Sequence, residues 1–208
     1  MFINEQFESV AKELEALDVE FRTNGIPARF MEKWNVSHNV GTWNVPRQTA
    51  EVLYQLVKIK KPKTILELGT SIGYSTMWLA AAAKDIGAAV NTIDIEEYKV
   101  ETAREHLERA GVSESVNQIH GDIGEALETW DQELDFVFMD ANKRSYLSYL
   151  KTIEKHLSPG ALVVADNVTD MKLQVEDFLD YVKSDENYSS LLLPIDHGLM
   201  LSVFNAER

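Results

Sequence analysis

The 208-residue chain contains no cysteine. Disulfide bridges and thiolate metal sites are therefore excluded, and cysteine usage says nothing about the redox state of the compartment. Long apolar runs are also missing: no stretch approaches the ~20 residues of a membrane-spanning helix, and the segment after Met1 lacks the basic and apolar parts of a signal peptide. We therefore expect a cytoplasmic protein with no membrane partner.

Basic residues are scarce relative to acidic ones. Lys and Arg number 20 against 34 Asp and Glu, which gives a formal charge of -14. This charge opposes loose association with nucleic acid or anionic lipid. The hydrophobic content of 45% suffices for one sizeable core. We predict a single domain over 1–208, in which an N-terminal segment, 1–46, precedes a ligand-binding core, 47–208.

A glycine loop near residue 70 organises the chain. Residues 64–68 form a short apolar, β-branched run, Gly69 and Gly73 bracket a tight turn, and an alanine-rich segment follows at 75–84. This order predicts a strand, a loop and a helix. Such a loop lets a ligand approach bare backbone at the positive end of a helix, on the carboxyl edge of a parallel sheet.

Two acids indicate what the loop binds. A dinucleotide site has three glycines and an anionic ligand, whereas Glu67 would repel a pyrophosphate and suits a cation. Asp94 ends the next strand, 90–94, where a carboxylate accepts ribose hydroxyls. S-adenosylmethionine combines a ribose with a cationic tail. The alternative is that Glu67 only caps a loop and Asp94 only begins a helix.

The segment before the loop is the least regular. An amphipathic helix is predicted at 4–23, and an irregular, aromatic segment at 28–46 precedes a helix that begins at Pro46. The irregular segment either lines a ligand pocket or covers the core. Its residues with open roles are Trp34, His38 and Trp43.

After the loop, strands and helices alternate. This alternation predicts an α/β fold with a doubly wound, mostly parallel sheet, and a final pair of strands too close together for a crossover predicts an antiparallel C-terminal hairpin. The predicted elements are helix 96–110, strand 115–120, a short helix ending near Trp130, strand 134–140, helix 143–157, strand 161–166, helix 171–183, and strands 190–195 and 199–204.

Hard oxygen ligands follow two of these strands. Asp140 ends one strand, and Asp166 with Asn167 ends the next. Because the carboxyl ends of parallel strands share one edge, these groups are expected to meet. Two carboxylates and an amide suit Mg²⁺ first, and Mn²⁺ or Ca²⁺ as well. The alternative is that both acids cap the helices that follow them.

Lys143 lies at the start of a helix, where a cation meets the helix dipole unfavourably. Beside a metal and Arg144, its affinity for a proton would fall, so that it could act as a base toward a hydroxyl. The alternative is a solvated lysine at a helix end.

From about Asn44 to the C-terminus, the sequence resembles the metal-dependent S-adenosylmethionine O-methyltransferases, the family of catechol and caffeoyl-CoA O-methyltransferases. The resemblance implies a seven-stranded fold with extra N-terminal helices, often dimeric. It implies catalytic roles for Lys143 and Asp140 and metal binding by Asp140, Asp166 and Asn167. The cofactor-binding residues it implies are Asn44, Val45, Glu67, Gly69, Thr70, Ser71, Gly73, Tyr74, Ser75, Asp94, Ile95, Asp122, Ile123 and Asp140.

Two departures bear on the methyl acceptor. Met200 stands where the catechol enzyme has an acid, and the long loop that many relatives carry after the metal-binding pair is missing after Asn167. We expect a hydroxyl of a small aromatic acceptor, catechol-like or phenolic. The alternatives are a tRNA hydroxyuridine methyltransferase and a non-catalytic cofactor-binding module, and a nicotinamide dehydrogenase is disfavoured by the missing third glycine.

Overall fold

The computed structural model describes residues 3–36 and 40–206, and seven strands form one sheet in the order β3-β2-β1-β4-β5-β7-β6. The first five strands are parallel, and β7 runs antiparallel to both β5 and β6. This topology confirms the predicted fold class. The strands are β1 Thr64–Leu68, β2 Ala89–Asp94, β3 Val116–His120, β4 Leu134–Met139, β5 Leu157–Ala165, β6 Tyr188–Leu193 and β7 Leu199–Phe204.

Eight α-helices accompany the sheet in the described part of the chain. The first is capped at its start by Asn4, whose side chain accepts a hydrogen bond from the backbone N–H of Phe7, and at its end by Gly25. Within the described ranges no helix is long and apolar enough to cross a membrane. The helices are α1 Glu5–Asn24, α2 Ala28–Trp34, α3 Arg47–Lys60, α4 Tyr74–Ile86, α5 Glu97–Ala110, α6 Ile123–Glu128, α7 Tyr146–Ile153 and α8 Glu176–Ser184.

The helices cover both faces of the sheet. One apolar cluster joins α1, α3, α4 and α5 to side chains such as Ile65 and Phe136, and the other joins α6, α7 and α8 to their neighbours Leu66 and Val137. Successive strand residues therefore point into opposite clusters. Double coverage explains why β4 reads as a nearly continuous apolar run.

The prediction of an irregular segment over 28–46 is wrong for its first part. Residues 28–34 form α2, and Trp34 is buried against Phe21, Phe30 and Tyr98. The Trp34 indole N–H donates to Thr102 Oγ1 at 2.9 Å. Trp34 therefore belongs to the core, and α2 escaped prediction because seven residues show too little periodicity. His38 lies outside the described residues.

Several element boundaries also differ from the predicted ones. The predicted helix over 143–157 is a 3₁₀ turn at Lys143–Ser145 followed by α7, and β5 already begins at Leu157. Pro159 lies within β5, where an irregular register between β4 and β5 tolerates its missing donor. At the C-terminus, β6 starts two residues earlier than predicted and α8 five residues later.

The different exposure of the four tryptophans predicts how their fluorescence is quenched. Trp43 is 67% exposed, whereas Trp34, Trp78 and Trp130 are at most 8% exposed. Trp43→Phe should therefore remove most of the acrylamide quenching of the intrinsic fluorescence. Trp34→Phe is the matched control and should leave the quenching essentially unchanged. Equal loss of quenching in the two variants would contradict this placement of the N-terminal segment.

Candidate active site

A cavity of about 610 Å³ opens at the carboxyl edge of the sheet. Backbone hydrogen bonds continue past the strand ends and fix the loops around it: Asp140 N–H donates to Leu68 O at 2.9 Å, and Asp166 N–H donates to Met139 O at 3.1 Å. Gly69 N–H donates to Ile93 O at 3.0 Å. Crevices at this edge are the usual ligand sites of open parallel sheets.

Most of the predicted site residues line this cavity. They are Asn44, Val45, Gly69, Thr70, Ser71, Tyr74, Ser75, Asp94, Ile95, Asp122, Ile123, Asp140, Lys143, Asp166 and Asn167. Glu67 and Gly73 are not among the lining residues, and Met200 is buried in β7 opposite Ala165. Trp43 also lines the cavity, as one of the two alternatives for the irregular segment expected. Sequence reasoning missed nine other lining residues: Arg22, Glu96, Lys99, Ala141, Asn142, Tyr149, Asp170, Met171 and His197.

Gly69 brings the glycine loop against the end of β4. Its φ is +101°, and a Cβ at this position would lie 2.3 Å from the backbone oxygen of Asp140. Any larger residue would therefore push the loop and Asp140 apart. This close approach places the predicted cofactor loop directly beside the predicted catalytic acid.

Glu67 supports the loop from below. It is fully buried, and its carboxylate accepts hydrogen bonds from the hydroxyls of Ser75 at 2.6 Å, Thr92 at 2.7 Å and Thr76. These bonds join β1 to α4 and β2. Burial raises the pKa of Glu67 to about 7, although the three hydroxyls act in the opposite direction. Our expectation that its charge faces the ligand is thus corrected: the carboxylate faces the interior.

Asp94 joins the loop to the next strand while lining the cavity. Its Oδ2 accepts from the backbone N–H of Ser71 at 2.7 Å, and its Oδ1 accepts from that of Glu96 at 3.0 Å. A carboxylate oxygen can accept two hydrogen bonds, and each oxygen of Asp94 accepts one here, so Asp94 retains the capacity to bind hydroxyls.

A short strap over residues 42–45 closes the cavity on the side of α1. Asn44 Nδ2 donates to Leu14 O at 3.0 Å, and Ser71 Oγ donates to Thr42 O at 2.5 Å. The strap is therefore tied to both α1 and the glycine loop. The other amide atom, Asn44 Oδ1, is buried and has no hydrogen-bond partner among the described residues. A donor group of a ligand would satisfy it.

The acidic end of the cavity contains an ion pair that rests on a buried tyrosine. Lys143 Nζ donates to Asp140 Oδ1 at 2.5 Å and to the hydroxyl of Tyr146 at 3.0 Å. That hydroxyl donates to Met139 O at 2.8 Å, and burial raises the pKa of Tyr146 well above its ordinary value. Tyr146 therefore stays protonated and holds Lys143 over the end of β4.

Asp166 is a buried acid with one carboxylate oxygen that lacks a hydrogen-bond partner in the described part of the chain. It is 2% exposed, and its Oδ1 has no hydrogen-bond partner among the described residues. Burial, and then the charge of Asp140, raises the pKa of Asp166 to about 7. A buried carboxylate oxygen without a partner is costly, and a cation would remove that cost.

The donor set fits a hard cation. Two carboxylates and the amide of Asn167, which has a left-handed φ of 62°, are oxygen ligands of the kind that Mg²⁺, Mn²⁺ and Ca²⁺ take. In residues 3–36 and 40–206, no group of three or more His, Cys, Asp or Glu side chains is arranged to hold a metal ion. The third donor would thus be an amide oxygen.

Comparison with known proteins identifies the family. The family model described as O-methyltransferase matches residues 28–203. The chain belongs to this O-methyltransferase family. It is 30% identical over 166 residues to a putative caffeoyl-CoA O-methyltransferase of Arabidopsis thaliana, covering 78% of this chain and 71% of that protein. It is 32% identical over 150 residues to a catechol O-methyltransferase of Niastella koreensis, covering 70% of this chain and 63% of that protein.

Solved structures share the fold. A putative caffeoyl-CoA O-methyltransferase from Staphylococcus aureus has a TM-score of 0.71 at 27% identity, covering 94% of this O-methyltransferase and 99% of that chain. A Podospora anserina methyltransferase, solved with SAH bound, has a TM-score of 0.72 at 25% identity, covering 96% and 97%. Together these comparisons confirm the predicted family and the predicted enzyme class, an S-adenosylmethionine-dependent O-methyltransferase.

The buried position of Glu67 predicts a pH effect on stability. Its pKa rises on folding from 4.5 to about 7, so the folded state holds its proton more tightly. The stability that Glu67 contributes is complete below pH 4.5 and is lost as the pH rises through 7, at about 1.4 kcal/mol per pH unit. Glu67→Gln should remove this loss.

The measurement is urea unfolding of the wild type and Glu67→Gln between pH 4.5 and 8. The free energy of unfolding of the variant, relative to the wild type, should increase up to about pH 7 and then level off. Glu128→Gln, at an exposed position of α6, is the control and should show no such trend. A constant difference between Glu67→Gln and the wild type would contradict the assignment.

Proposed function

We propose that this O-methyltransferase transfers the methyl group of S-adenosylmethionine to a hydroxyl of a small, catechol-like or phenolic acceptor, with a divalent cation at Asp140, Asp166 and Asn167. One observation supports it above the others. The glycine loop lines the same cavity as Asp166, whose buried Oδ1 has no hydrogen-bond partner among the described residues, so a cofactor on the loop and a cation at Asp166 would be neighbours.

The cofactor would lie along the glycine loop. Asp94 would accept the ribose hydroxyls, with Ile95, Asp122 and Ile123 nearby for the adenine, as the family resemblance implies. The strap and the loop would hold the methionine part, and the unpaired Asn44 Oδ1 is an acceptor for its ammonium group. The SAH-bound Podospora relative supports this choice of cofactor.

The cation would be held by Asp140, Asp166 and Asn167, with Mg²⁺ the first choice and Mn²⁺ or Ca²⁺ possible in its place. When bound, such an ion lowers the pKa of a phenol from about 10 toward neutrality. Lys143 is held by Tyr146 next to Asp140. With a cation in place at Asp140, the neighbouring positive charge would favour the neutral amine of Lys143, which could then take the hydroxyl proton. The cavity would hold the resulting oxygen next to the methyl group.

A small acceptor is favoured over tRNA by charge. The cavity is lined by six Asp or Glu residues and three Lys or Arg residues, and the whole chain carries -14. A protein that binds folded RNA must neutralise several phosphates. The Asp140, Lys143, Asp166 and Asn167 set in turn favours an enzyme over a non-catalytic module. Homodimerisation and a cytoplasmic location remain predictions.

The test is transfer of labelled methyl from S-adenosylmethionine to a catechol, a simple phenol and undermodified tRNA, with and without a chelator. The catechol should be methylated, transfer should stop in excess chelator, and Mg²⁺ or Mn²⁺ should restore it. Lys143→Met should lower kcat by a factor on the order of 10²–10⁴ with little change in cofactor affinity.

Asp166→Asn should abolish cation-dependent transfer and retain cofactor binding. Asp180→Asn, at an exposed position of α8, is the control and should behave as the wild type. Undiminished transfer in excess chelator would refute the cation. Transfer to tRNA together with submicromolar tRNA binding at physiological salt would refute the small acceptor.

A further inference from the structure

Asp170 contacts the predicted amide ligand although the mechanism above gives it no role. It lies three residues after Asn167, on the loop between β5 and α8, and it lines the cavity. Its Oδ2 accepts a hydrogen bond from Asn167 Nδ2 at 3.2 Å. The same carboxylate oxygen is 3.3 Å from His197 Nδ1, on the turn between β6 and β7.

The contact decides which end of the Asn167 amide faces the cavity. An asparagine side chain has an oxygen that accepts and an NH₂ group that donates, and rotation by half a turn exchanges them. Only the oxygen can bind a cation, whereas the NH₂ group would repel it. Because Asp170 takes the NH₂ group, Oδ1 is the atom left for the cation.

The surrounding backbone holds Asp170 and Asn167 in place. Val168 N–H donates to Gly198 O at 3.2 Å, and Thr169 N–H donates to His197 O at 3.0 Å. A Cβ on Gly198 would lie 2.5 Å from Thr169 Cγ2, so this approach of the two loops depends on a glycine. Because the N–H of Asp166 donates to Met139 O, the left-handed Asn167 lies between two anchored neighbours, Asp166 and Val168.

The turn that carries His197 is itself anchored. Asp196 Oδ2 accepts from the backbone N–H of Thr49 at 3.1 Å and from its hydroxyl at 2.7 Å, at the start of α3. His197 therefore meets Asp170 from a fixed position. The two loops and α3 form a rigid support for one carboxylate and one amide.

We propose that Asp170 is a positioning residue: it orients the Asn167 amide so that the oxygen, and not the NH₂ group, faces the cation site. His197 supports it by holding the Asp170 carboxylate. The inference rests on the cation of the proposed function. The property of Asp170 that matters is therefore the hydrogen bond that it accepts from Asn167 Nδ2, and not its negative charge. A group that acted through its charge alone would have the same effect in any orientation.

The experiment measures Mn²⁺ binding to the protein–SAH complex by electron paramagnetic resonance, in the absence of an acceptor and of turnover. Asp170→Ala should weaken Mn²⁺ binding by a factor of about 10–100, the usual effect of losing a hydrogen-bond partner of a metal ligand. The nearly isosteric Asp170→Asn keeps an acceptor oxygen and should retain most of the affinity. The affinity for SAH should be unchanged in both variants, and this measurement serves as the control that they are folded.

The same substitution in an Asn167→Asp variant separates the orientation of the residue 167 side chain from the charge of Asp170. In Asn167→Asp the side chain presents an oxygen whichever way it turns, so Asp170→Ala should cost no Mn²⁺ affinity there. Asp180→Ala is the control for loss of a negative charge on a neighbouring helix. An equal loss from Asp170→Ala in both backgrounds, or wild-type affinity in the single variant, would overturn the positioning role. Absence of Mn²⁺ binding to the wild type would instead overturn the cation site itself, and this inference with it.

Discussion

The contact between Gly69 and the backbone of Asp140 is the constraint on which the rest of the site depends. At this point β1 and β4 end side by side, and the space between the two loops leaves no room for a Cβ. The loop predicted to bind the cofactor therefore cannot move without moving the acid predicted to hold the cation. Under the proposed function, this contact links the position of the methyl donor to that of the acceptor, which methyl transfer requires.

The second constraint is electrostatic. Asp140 and Asp166 lie close enough for the charge of one to raise the pKa of the other, and Asp166 is almost entirely buried. Lys143 offsets only part of this charge, through Asp140. A buried carboxylate with an unsatisfied oxygen beside a second carboxylate is unfavourable by itself and becomes favourable when a cation is bound. The proposed function thus explains a feature that stability alone does not.

The parts of the structure that the sequence predicts are those determined by local pattern. Doubly covered strands give continuous apolar runs, and residues at the ends of parallel strands converge, so Asp94, Asp140 and Asp166 could be assigned to one edge. Glu67 shows the limit of that argument. Its place near the end of β1 was predicted, but its side chain faces the buried hydroxyls of α4 and β2. Successive strand residues alternate between the two faces, so Glu67 lies on the same buried face as Ile65, and the sequence already indicates this.

The features that escaped prediction depend on contacts between distant segments. Arg22 reaches the cavity from α1, and His197 approaches Asp170 from the last turn. Neither carries a local signal, because the partners are many residues away. Tyr146, by contrast, does carry a local signal. It lies three residues after Lys143, which places both side chains on one side of a helical turn, so the sequence could have suggested that Tyr146 holds Lys143.

The measurement that tests the account most directly is anomalous diffraction from a crystal of the protein grown with SAH and Mn²⁺. One strong manganese peak is expected, bounded by oxygens of Asp140, Asp166 and Asn167, with SAH along the glycine loop and Lys143 Nζ displaced from Asp140. Manganese bound elsewhere, or a site without manganese in which Lys143 still contacts Asp140 beside bound SAH, would contradict it.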